Sequence, residues 1–83
     1  MIDKILMSHL EDNDCLLAAG FEEALIGISD GGNPVAVYDS HKCIEILIEE
    51  DKMSYEDAMD YFYYNTVGAY VGEKTPIFIK RYE

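Results

Sequence analysis

The histidines and cysteines are the first residues to weigh for chemistry: His9, Cys15, His41 and Cys43. His41 and Cys43 stand two apart, a spacing open to a zinc pair or a thiol–imidazole nucleophile. Structural zinc takes four ligands at recognisable intervals, and only His9 and Cys15 could complete such a set. A nucleophilic thiol needs a positively polarised site to lower its pKa, whereas the neighbourhood of Cys43 is acidic. Cys43 also falls on the apolar side of its helical pattern, so core packing is its expected role. Asp12, Asp14 and Glu23 match positions 1, 3 and 12 of a calcium loop. Leu16 and Leu17 occupy the places that need an oxygen ligand and a glycine, so the stretch reads as a solvated loop. No catalytic residue, metal site or cofactor is expected.

Two glycine-rich stretches, Asp30-Gly31-Gly32-Asn33 and Gly72-Glu73-Lys74-Thr75, invite comparison with phosphate cradles. A cradle needs converging backbone N–H groups, as at a helix N-terminus, usually with a cation. Neither stretch opens a helix, and both read as turns. Glu73 and Thr75 are nevertheless polar where a turn does not demand it. They serve either turn chemistry with a threonine hydrogen bond, or contact with a ligand or partner. The clusters Glu22/Glu23, Glu49/Glu50/Asp51 and Glu56/Asp57/Asp60 could act as acid–base pairs only if burial split their pKa values. At helix ends they are expected to be solvated, with Glu56 and Asp57 complementing a helix N-terminus.

Asp57, Asp60, Tyr61 and Tyr64 recur at helical spacing, opposite the apolar stripe Tyr55, Ala58, Met59, Phe62 and Tyr63. Tyrosine is enriched at interface hot spots, and neighbouring carboxylates suit an Arg- or Lys-bearing partner. The competing reading sandwiches this helix between a sheet and the N-terminal segment, with both faces buried.

The elements that must position these groups belong to one small domain. The chain has 83 residues, 49% of them hydrophobic, with 6 basic and 17 acidic side chains for a net charge of −11. That balance disfavours direct contact with nucleic acid or an anionic membrane surface. No stretch approaches the roughly 18 apolar residues of a membrane span. Two cysteines without CxxC spacing, and an N-terminus without a signal pattern, lead to the expectation of a reducing cytoplasm.

Residues 1–20 read as a helical N-terminal segment and residues 21–83 as an α+β core. Ile2, Ile5, Leu6, His9 and Leu10 share a helical face, and a second helical turn is expected from Cys15 to Ala19, closed by Gly20. The runs 24–29 and 35–38 flank strong turn residues and predict a hairpin. Asp39 or Ser40 caps a helix to about Glu50, and Ser54 with Asp57 resembles a capping box for the next. Val67–Val71 and Pro76–Lys80 alternate around Gly72–Thr75, which predicts a second hairpin; the alternative, a helix continuing through Gly68 and Gly72, costs about 1 kcal/mol for each glycine. The expected architecture is a small antiparallel sheet of two hairpins with helices packed on one face.

A resemblance rests on Ala24-Leu25-Ile26-Gly27, Val37-Tyr38-Asp39, Lys42-Cys43-Ile44, and the run Asn65-Thr66-Val67-Gly68-Ala69-Tyr70-Val71-Gly72-Glu73-Lys74-Thr75-Pro76. From about Phe21 to Phe78 the chain resembles a family of small proteins encoded by tailed bacteriophages and prophages, marked by Asn-x-x-Gly-Ala-x-x-Gly-Glu-x-Thr-Pro. The first twenty residues fall outside the match. The resemblance implies a setting inside a bacterium, and it carries over no catalytic role to any residue. The expected function is an acidic, non-enzymatic accessory protein that binds a basic host protein, for example a nucleic-acid-handling enzyme of a defence system. Asp57, Asp60, Tyr61, Tyr64, Glu73 and Thr75 are its candidate contacts. The alternative is a small-molecule or nucleotide-binding protein with a site at the Val71–Pro76 turn or between protomers. A homodimer is compatible with either.

Overall fold

A computed structural model describes residues 4–68 and 72–82. Helix α1 spans Lys4–Asp12, two residues past Leu10, the last residue of the expected helical face. Its inward stripe is Leu6, Met7 and fully buried Leu10, whereas Ile5 and His9 face solvent. Ile2 lies outside the described residues. Asn13 closes the helix by donating its backbone N–H and its side-chain amide to the His9 carbonyl (3.2 and 2.8 Å).

The helical turn expected at Cys15–Ala19 does not form, because tertiary partners claim its polar groups. The Ala18 N–H donates to the Tyr38 hydroxyl at 2.8 Å, and the Cys15 thiol to the Pro34 carbonyl at 3.3 Å. Gly20 adopts φ +91°, but inside a turn closed by the Phe21 N–H on the Ala18 carbonyl rather than at a helix end.

A 3-10 turn at Glu22–Ala24 leads into β1 (Leu25–Ile28), which pairs antiparallel with β2 (Ala36–Asp39) as the first hairpin requires. The register slips between Leu25 and Gly27, so Ile26 forms a bulge. At the tip, Ser29 bonds Val35 through both its backbone N–H and its hydroxyl, each at 2.9 Å. Asp39 then caps α2 (Ser40–Glu50), its carboxylate accepting the His41 and Lys42 N–H groups. Ser54 caps α3 (Tyr55–Tyr61) by accepting the Asp57 N–H at 3.2 Å.

The described residues depart from the expected second hairpin. Val67 lies in a π-helical turn (Phe62–Val67) that continues α3, and β3 (Ile77–Ile79) pairs with β2 in parallel. Residues 69–71, the rest of its expected first strand, lie outside the described residues. The sheet is therefore mixed, ordered β1-β2-β3, with α2 and α3 forming the crossover that a parallel pair needs. The run Phe-Tyr-Tyr-Asn-Thr-Val contains no strong α-helix former, which suits a locally widened turn. Gly68 ends it, donating to the Tyr63 carbonyl at 3.2 Å.

One sheet face carries Ala36, Tyr38 and Phe78 into the core. Tyr38 stacks on Phe78 at 5.4 Å, and Phe62 meets Phe78 and Phe21 edge-on at 5.3 and 6.3 Å. Tyr38, Phe62, Leu10 and Cys43 are fully buried. The other face presents Val37, Ile77 and Ile79, the two isoleucines exposed. No helix among the described residues is long and apolar enough to cross a membrane.

Candidate functional site

A cleft of about 630 Å³ opens where the N-terminal segment, α2, the π turn and the approach to β3 meet. Phe21, Ile46, Leu47 and Phe78 supply its apolar surface, and Leu16 and Leu17 stand exposed along one wall. Polar groups enter from Glu50 and Asp51 at the end of α2, from Tyr61, and from Asn65, Thr66 and Thr75. No lysine, arginine or histidine is among its described lining residues.

Local bonds hold these walls. The Ala18–Tyr38 bond ties the N-terminal wall to the core sheet, and Glu22 accepts the Gly20 N–H at 3.2 Å. Opposite, the hydroxyl of Thr75 donates to the Gly72 carbonyl at 2.6 Å, with Gly72 at φ +110°. This turn is clamped to the tip of the first hairpin: Asn33 donates to the Glu73 carbonyl at 2.6 Å, and Lys74 to the Pro34 carbonyl at 3.1 Å. The two glycine-rich stretches, read separately in the sequence, thus form one joint. A shallower depression of about 540 Å³ lies beside it, lined by Asn33, Glu73, Thr75 and Ile77 among others.

The six expected contact residues do not form a single cluster. Tyr61 and Thr75 meet in the cleft, and Glu73 and Thr75 in the shallower depression. Asp57, Asp60 and Tyr64 lie outside both. Asp57, Asp60, Tyr61 and Tyr64 are all exposed, Tyr64 to 83% and Tyr61 to 44%, so the helix is not sandwiched on both faces. Of its expected apolar stripe, Ala58 and Phe62 are buried and Met59 half-buried, whereas Tyr55 and Tyr63 are exposed. Within the widened turn Tyr64 stays on the outer side, as its α-helical spacing predicts, and Asn65 and Thr66 line the cleft.

Around α2 and α3 the surface is strongly acidic. Glu49, Glu50, Asp51, Glu56, Asp57 and Asp60 are all exposed, and Lys52 is the one basic residue within positions 49–64. Among the described residues none of these six carboxylates is in an ion pair; Lys42 pairs instead with Glu45, and Arg81 with Asp39, both at 3.7 Å.

The thiol chemistry weighed in the sequence meets a positive obstacle. Cys43 is sealed in the core, and burial, helped by the Asp39 carboxylate, pushes its pKa up to about 12. Such a thiol stays protonated at neutral pH and is a poor nucleophile. His41 lies exposed on the surface of α2. Burial likewise raises the pKa of the Tyr38 phenol, against the lowering effect of its bond to Ala18. Among the described residues no three His, Cys, Asp or Glu side chains converge as a metal site would.

The cleft was not foreseen from the sequence. Leu16, Leu17, Glu50 and Asp51 carry no motif, and only their tertiary meeting makes them a site. Asn65, Thr66, Thr75 and Pro76 belong to the quoted Asn-x-x-Gly run, which was the available signal. Compared with protein-family models, with curated proteins and with solved structures, the chain matches none.

Proposed function

We propose that this chain is a non-enzymatic accessory protein that binds and modulates a basic host protein through the α2–α3 surface. One observation carries the reading: six exposed carboxylates, free of ion pairs among the described residues, lie on the same stretch as exposed Tyr61 and Tyr64. Unpaired like charges destabilise a small domain by self-repulsion, and a cationic partner relieves that repulsion on binding. Tyrosines beside them supply the apolar area that hot spots use. The net charge of −11 steers the chain toward surfaces that hold nucleic acid. A nuclease of a bacterial defence system is one such target, consistent with the resemblance to small phage proteins.

The test is capture from bacterial lysate at ~50 and ~500 mM salt, with the protein and with an Asp57→Asn, Asp60→Asn, Tyr64→Ala variant. The reading expects a basic, nucleic-acid-handling protein that is held at low salt and lost at high salt or with the variant. Capture indifferent to both salt and substitution counts against it.

A second reading, binding of a small molecule, is favoured by the cleft, whose volume is typical of ligand pockets. Two carboxylates and, among the described residues, no cation make the lining unsuited to a nucleotide phosphate. Val71, at one end of the turn expected to hold such a site, lies outside the described residues. A ligand at 100 times its dissociation constant raises stability by ~2.7 kcal/mol, so a thermal-shift screen without a response retires this reading.

A further inference from the structure

We infer that the cleft is an anchor pocket for one apolar side chain of a basic segment, with Glu50 and Asp51 receiving a Lys or Arg beside it. The inference rests on the docking reading above and adds the form of the ligand. Three observations converge. The cleft is lined by Phe21, Ile46, Leu47 and Phe78, which suits a desolvated side chain rather than a polar headgroup. Its mouth holds two carboxylates and, among the described lining residues, no cation, so complementarity selects positive charge. Glu50 follows Ile46 and Leu47 by about one helical turn, or roughly 5.4 Å along α2.

That spacing dictates the occupant. Consecutive Cα atoms are about 3.8 Å apart, so a lysine or arginine one or two positions from the anchor reaches the carboxylates while the anchor fills the floor. Tyr61, on the wall shared with the acidic helix, joins the pocket to the outer surface carrying Asp57 and Asp60. A segment seated here therefore continues onto that surface, and the two contacts reinforce each other.

The probe is a short peptide carrying Leu-Lys-Leu-Lys, compared with forms in which Ser replaces Leu or Glu replaces Lys. Each is titrated into the protein at ~50 mM salt and read by amide chemical shifts. The inference expects the Leu-Lys peptide to move the Ala19, Gly20, Asn65 and Thr75 amides. The Ser form should bind at least ~10-fold more weakly, as loss of a buried leucine implies, and the Glu form should not bind. Ala19→Trp, which fills the cleft from an exposed turn position, should abolish these shifts with an unchanged circular dichroism spectrum. Glu50→Gln with Asp51→Asn tests the mouth on solvent-exposed side chains, should Ala19→Trp disturb folding. Equal binding of the Leu and Ser forms overturns the anchor pocket yet leaves the docking reading standing. Failure of the Leu-Lys peptide to bind overturns it too, even where salt-sensitive capture from lysate persists. Loss of that capture alone strikes the docking reading.

Discussion

Replacing Tyr38 by Phe isolates the bond on which the cleft wall depends. The substitution keeps the ring that stacks on Phe78 at 5.4 Å and removes the hydroxyl that accepts the Ala18 N–H at 2.8 Å. A hydrogen bond contributes ~0.5–1.5 kcal/mol net, and a donor left unsatisfied in the interior costs ~1–3 kcal/mol. Ala18 is half-buried, so water offers its N–H partial compensation. The expected loss is accordingly ~1–1.5 kcal/mol. For a domain of this size each kcal/mol shifts Tm by ~4–8 °C, so the melt should move down by ~5–10 °C. Urea unfolding should show a lower midpoint at unchanged slope, because the surface exposed on unfolding barely changes. Hydrogen exchange at the Ala18 amide should quicken in the variant more than exchange in β2. An unaltered midpoint together with unaltered Ala18 exchange would refute the claim that this bond holds the N-terminal segment on the sheet.

Two further outcomes follow from the core and the turns. Cys43 and Tyr38 have folded-state pKa values above their unfolded ones, so the native state binds more protons and stability falls as pH rises. For Cys43 the loss begins near the unfolded thiol value of ~8.5 and is complete once pH passes about 12; Cys43→Ala should flatten that part of the curve in urea melts between neutral and alkaline pH. Gly72→Ala should cost ~1–3 kcal/mol from backbone strain at φ +110°, since a Cβ there meets nothing within 4 Å. Gly27→Ala, also in open space but without a positive φ, should be far milder, and chemical denaturation distinguishes the pair.

Local signals in the sequence were sufficient where short-range chemistry decides the outcome. The Asp30–Pro34 turn, the Asp39 cap and the Ser54 cap each depend on residues a few positions apart, and each forms as expected. Cys15–Ala19 went the other way because distant partners outweighed local propensity, and β3 because its neighbour lies far off in the sequence. Ala18 is held by Tyr38, twenty residues away, and β3 joins β2 through a crossover of nearly forty. The alternation around Gly72 mimics a hairpin, since period-two spacing does not reveal which strand will be the neighbour. Acidic Asp57 and Asp60 and exposed Tyr64 were legible as a surface, because charge and helical spacing are local properties. The cleft was not, since Leu17, Glu50, Asn65 and Thr75 share no sequence neighbourhood.

The most direct measurement is hydrogen–deuterium exchange on the chain with and without the purified protein that it captures. Docking through the acidic helix predicts slowed exchange across residues 57–66 and at 16–20, with the edge strand β1 (Leu25–Ile28), which does not line the cleft, unchanged. Protection confined to that strand, or none at the helix, contradicts it.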